Sequence, residues 1–114
     1  MGNYKSDQFV KDLETKAYEY IDECLNNKRT HVAGSGKEVQ VKDRHIPTID
    51  FFLRIWLPIN MGETIHRATW YRWLDKEGSK SDTIKTIDGL FKALAQDIVA
   101  NEGKGIFYAK NRLG

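Results

Sequence analysis

Residues 65–74 read Ile65-His66-Arg67-Ala68-Thr69-Trp70-Tyr71-Arg72-Trp73-Leu74, and shortly before them stands Pro47-Thr48-Ile49-Asp50-Phe51-Phe52-Leu53-Arg54-Ile55-Trp56-Leu57-Pro58. On a 3.6-residue period Trp70, Trp73 and Leu74 share one face, while Ala68, Arg72, Asp75 and Lys76 point away from it. Thr69 and Tyr71 fall on the flanks, and Arg67 occupies the first turn. In the earlier stretch Ile49, Phe52, Leu53 and Trp56 make an apolar face. Pro47 suits a helix start, Thr48 is placed to cap, and Asp50 sits favourably at the positive end of the dipole. Pro58 lacks an N–H and restricts Leu57, so this helix should end or kink there. The following helix should cover about residues 66–76 and stop at Gly78. Two helices joined by a connection predict a small all-α domain built around a helix-turn-helix-like region, residues 47–78.

Outward from that centre, Phe9, Val10, Leu13, Ala17, Tyr20, Ile21, Cys24 and Leu25 recur at three- and four-residue spacing. They predict an N-terminal helix over residues 7–26, with Ser6 as its cap. Residues 28–46 break the pattern. Gly34-Ser35-Gly36 is a flexible point and Val39-Gln40-Val41 alternates like a strand, so this segment is a loop or a small hairpin. A last long helix should cover residues 82–100 with the stripe Ile84, Ile87, Phe91, Leu94, Ile98. Its alternating three- and four-residue steps make an a/d seam. Such a seam packs within its own domain or pairs subunits. A chain this small has a limited core to offer it, which favours the second use and predicts a homo-oligomer. Gly103 and Gly105 break the helix, and residues 106–112 suggest one further short turn.

The chain has 114 residues, which fits one domain. Apolar residues make up 40% of it, with three Trp, five Phe and five Tyr, enough for a real core. The only cysteine, Cys24, lies in an apolar stripe and should behave as a small buried hydrophobe, in keeping with a cytoplasmic setting. The longest apolar run, residues 51–59, contains Arg54 and is far too short to span a membrane. The start, Met1-Gly2-Asn3-Tyr4-Lys5-Ser6, matches only the loose myristoylation pattern.

Chemistry-bearing constellations do not assemble. His31, His45 and His66 are scattered without ligand spacing, and Asp43, Asp50 and Glu63 come from separate segments, so no metal, cofactor or catalytic site is expected. Gly34-Ser35-Gly36-Lys37 fails as a phosphate loop. His31 stands where the pattern needs a Gly, and Glu38 where it needs Ser or Thr. An enzyme is therefore not expected.

The helix at residues 66–76 reads either as an ordinary amphipathic surface helix, which composition alone favours, or as a DNA-binding one. A helix enters the major groove when its inner face is anchored and its outer face carries Arg and short polar side chains. Here Trp70, Trp73 and Leu74 are the anchors. Arg67, Arg72 and Lys76 are the groups that reach guanine edges or phosphates, and Thr69 and Tyr71 bond the backbone. The net charge of +2 is less lopsided than phosphate binders usually show.

The stretch Ile65 to Leu74 resembles the second helix of the helix-turn-helix in phage terminase small subunits. Pro47-Thr48-Ile49 resembles the start of that family's preceding helix. Gly105-Ile106-Phe107-Tyr108-Ala109-Lys110-Asn111-Arg112-Leu113-Gly114 is similar to the ending of many such subunits. The eight residues from Pro58 to Ile65 exceed the family's standard turn, and His66 replaces the usual cap. The resemblance implies a non-enzymatic subunit that recognises viral double-stranded DNA for packaging, forms ring oligomers and recruits the terminase large subunit, which carries the ATPase and nuclease. Two other readings stay open: a helix-turn-helix transcriptional regulator, and a protein-interaction domain without DNA binding.

If Arg67, Arg72 and Lys76 carry the binding, log affinity for duplex DNA should fall against log salt with a slope on the order of −3 to −5. Titration at several salt concentrations measures it. Affinity that survives loss of all three side chains removes this helix from the interface.

Overall fold

A computed structural model describes residues 7–103. The first helix, α1 (Asp7–Asn26), forms where the apolar spacing places it, with Val10, Leu13, Ala17, Tyr20 and Cys24 buried along one side. Ser6, the amino-terminal Met1-Gly2 motif and the tail beyond residue 103 lie outside the described residues.

The all-α expectation is corrected at residues 28–42. There β1 (Lys28–Val32) and β2 (Glu38–Lys42) pair antiparallel, with Lys28 opposite Lys42 and Val32 opposite Glu38. Of the two forms open to this segment, the hairpin is the one adopted. β-Branched residues alternate in both strands, and a tight turn closes them. The Gly36 N–H donates to the Ala33 carbonyl at 2.8 Å, and Gly36 takes φ 84°, a left-handed conformation that only glycine enters without strain. The architecture is thus mostly helical with one small two-stranded sheet.

The next helix, α2, covers residues 49–60. Thr48 caps it: its Oγ1 accepts the Phe51 N–H at 3.2 Å, and its own N–H donates to the Tyr20 hydroxyl at 3.3 Å. Between Phe52 and Trp56 the helix widens into a π turn, in which the Leu57 N–H reaches back to the Phe52 carbonyl. Pro58 follows at once, yet the helix runs on through Leu57–Asn60. In a regular helix the proline ring would crowd the carbonyl four residues back and leave it without a donor. The wider turn relieves that conflict, so Pro58 leaves a bulge behind it instead of a terminus. Only residues 61–66 then separate α2 from the third helix, α3 (Arg67–Leu74), with buried Ile65 plugging the connection into the core. The last helix, α4 (Ser79–Glu102), starts three residues earlier and ends two later than expected.

Phe52 is the packing centre. Its ring lies 5.4 Å from Tyr20 of α1, 5.8 Å from Trp56, 6.4 Å from Trp70 of α3 and 5.3 Å from Phe91 of α4. Asp7 approaches Lys80 at 3.9 Å and the Tyr20 ring sits 5.4 Å from Phe91, so α1 and α4 run in the same direction. The α4 seam requires a second correction. Ile84, Ile87, Phe91 and Ile98 are buried within the one chain, and Leu94 packs against the core from its edge. The seam faces α1 and α3 because a domain of this size has no other surface long enough to fill its core, which leaves little of the stripe for a partner. Among the described residues no helix is long and apolar enough to cross a membrane.

Phe52 is fully enclosed and touches rings from all four helices, so Phe52→Ala should cost about 3–5 kcal/mol. Trp73→Ala should cost less, since Trp73 is only partly buried at the core's edge. Denaturant unfolding of both variants checks the order.

Candidate nucleic-acid interface

α3 is held from beneath. Trp70 is fully buried and meets Phe52 edge to face, and Leu74 and Trp73 pack on the rim of the core. The indole N–H of Trp70 has no acceptor among the described residues. Trp73, expected as a full core anchor, instead borders a groove of about 190 Å³ with Val10, Lys76, Lys80 and Ile84.

The turn from α3 into α4 is fixed by Ser81, one residue before the helix start expected at residue 82. Ser81 is buried, and its hydroxyl reaches both the Trp73 carbonyl, at 2.7 Å, and the Lys76 carbonyl. One hydroxyl in the first turn of α4 thereby ties that helix to the end of α3, its single proton shared between the Trp73 carbonyl, which also accepts the Lys76 N–H at 3.2 Å, and the Lys76 carbonyl just beyond the helix.

Of the expected DNA-contacting side chains, Arg67, Arg72 and Lys76 are exposed, and Thr69 and Tyr71 are half-buried. Arg67 stands 3.7 Å from Asp50 of α2, with both side chains more than half exposed. A pair so exposed holds with no more than about 1 kcal/mol, so a phosphate can displace the carboxylate. The guanidinium also sits over the Tyr71 ring, 5.5 Å from its centre, which aims it outward. Arg72 donates to the Thr69 hydroxyl at 3.4 Å. The contacts link Arg67 to Tyr71 and Arg72 to Thr69, two pairs on the outer surface of α3. Lys76 does not join it, because α3 ends at Leu74 and Lys76 turns into the groove beside Val10. Exposed Asp75 further breaks the positive face.

Elsewhere, Phe51, Ile55 and Ile59 stand exposed at four-residue spacing along α2, an apolar row that the sequence reading gave no role. The signal was present in the period, offset from the buried face. Cys24 is enclosed, and burial pushes its thiol up to about 11, so it stays protonated at neutral pH. Among the described residues no group of His, Cys, Asp or Glu is placed to hold a metal ion. His31 lies exposed on β1, His66 precedes α3 without a capping hydrogen bond, and His45 meets the Asn27 amide at 3.0 Å. Compared with known proteins, the chain matches no family model, no curated protein and no solved structure.

Ser81→Ala should lower stability by about 1 kcal/mol, the net worth of the hydroxyl's hydrogen bond to the end of α3. An unchanged denaturation midpoint would show that the hydroxyl does not hold the turn.

Proposed function

We propose that the chain binds double-stranded DNA through α3 and acts as the small subunit of a phage-type terminase. The observation that carries the first part is a short helix anchored by fully buried Trp70 while Arg67 and Arg72 stand exposed on its outer side. An anchored helix keeps its outer side chains in fixed register, which is what groove or phosphate contact requires. The terminase assignment, with its large-subunit partner and its homo-oligomer, rests on the resemblance of residues 47–49, 65–74 and 105–114 to that family. With the α4 seam turned inward, the exposed row Phe51, Ile55 and Ile59 is an apolar surface among the described residues that assembly can use. The same row favours a second reading, a protein-interaction domain without DNA binding, since exposed apolar rows on a helix suit partner helices.

The two readings part on one experiment. Arg67→Ala combined with Arg72→Ala removes two exposed side chains that the core does not use. Under the DNA reading this variant keeps its circular dichroism and thermal midpoint but binds duplex DNA at least about tenfold more weakly at low salt. Fluorescence anisotropy with labelled duplex measures it. Wild-type chain that leaves duplex DNA untouched at low salt decides for the protein-interaction reading.

A further inference from the structure

The hairpin stands apart from the rest of the molecule in burial and in charge. All ten strand residues are exposed except Val41, which is half-buried. A two-stranded ribbon wet on both faces is marginal on its own, so this one has little intrinsic reason to persist. Its base is clamped: the Asp43 N–H donates to the Asn27 carbonyl at 2.8 Å, the Asn27 amide returns a bond to the Asp43 carbonyl at 2.8 Å, and the His45 N–H reaches the Cys24 carbonyl at 3.0 Å. The fold therefore holds the ribbon out at the end of α1 without covering it.

Residues 28–42 carry Lys28, Arg29, Lys37 and Lys42 against a single acid, Glu38, for a net +3, while the whole chain is only +2. None of the four cations makes an ion pair among the described residues. Lys28 and Lys42 are direct cross-strand partners, an arrangement that costs stability until an anion comes between them. Alternation puts Lys28 and Lys42 on one face of the ribbon and Arg29 on the other, and Lys37 sits at the turn.

We propose that this hairpin is a second duplex-DNA contact, a ribbon that lies in a groove and neutralises phosphates on both of its walls. The inference rests on the reading that the chain binds duplex DNA. Cations on both faces suit a groove, which presents phosphate backbones to either side of a two-stranded ribbon. They do not suit a flat anionic membrane, which meets one face only. Val32 and Val39, the exposed apolar side chains, also fall on opposite faces and so form no surface to insert into lipid. A second copy is disfavoured because two +3 arms repel. The hairpin also places the chain's positive charge where the sequence reading of α3 did not look for it.

The test is the salt dependence of duplex binding by three chains: wild type, Lys28→Gln with Lys42→Gln, and the fourfold variant that adds Arg29→Gln and Lys37→Gln. Each lost phosphate contact should flatten the slope of log affinity against log salt by about 0.9. The double variant is therefore expected to lose about 2 from the slope and the fourfold variant about 3–4. Because the double variant relieves a like-charge pair, its loss cannot come from a broken hairpin. Wild-type slopes in both variants overturn the inference, and if Arg67→Ala with Arg72→Ala still weakens binding, the α3 reading stands alone. Wild-type chain that binds no duplex at low salt overturns both. Phosphatidylserine vesicles provide the control: hairpin-dependent vesicle binding with unaltered DNA affinity overturns the proposal in favour of a lipid surface.

Discussion

The contact on which the rest of this molecule depends is the meeting of four aromatic rings around Phe52. Tyr20, Trp56, Trp70 and Phe91 approach it from α1, α2, α3 and α4, the first two stacked and the last two edge-on. Aromatic pairs of this kind add to the burial of their area and also restrict orientation. The π turn begins at Phe52 itself, so the irregularity that accommodates Pro58 lies inside the packing centre. The attitude of α3, and with it the direction in which Arg67 and Arg72 point, is set through Trp70 against that ring.

Charge is distributed by a different logic from packing. α4 ends with Asp97 and Glu102 and has no basic residue in its last turn, so acids stand at the negative end of the helix dipole. Arg44 supplies what is missing, at 2.9 Å from Asp97 and in contact with Glu102, and the two carboxylates hold its guanidinium above the usual range. The segment that delivers Arg44 is the return leg of the hairpin. One short connection thus ties the helical body electrostatically and leaves the remaining cations of the hairpin unpaired.

The sequence showed most clearly those features whose cause is local. The end of α1 was legible because its apolar stripe is regular up to Leu25 and Asn26-Asn27 follow at once. Thr48 could be read as a cap from its type and place. The α4 stripe was legible as a pattern but not as an address, since Ile84, Ile87, Phe91 and Ile98 look the same whether they face α1 or another subunit. Pro58 misled because its effect depends on a π turn that only the packing of Phe52 and Trp56 makes worthwhile. Ser81 was invisible as a brace for want of any local signal: its partners are carbonyls of the preceding helix. For the candidate interface, Arg67, Thr69, Tyr71 and Arg72 lie on α3 as the period predicts, whereas Lys76 lies two residues beyond its end.

The parallel course of α1 and α4 has a consequence for how the chain is made. α1 leaves the ribosome well before residues 79–102, the helix that packs along its apolar side. Pairing elements so far apart closes a long loop before any reward is gained, which slows folding. Until α4 has emerged the apolar side of α1 is therefore only partly covered, with Tyr20 met by Phe52 and Trp56 of α2.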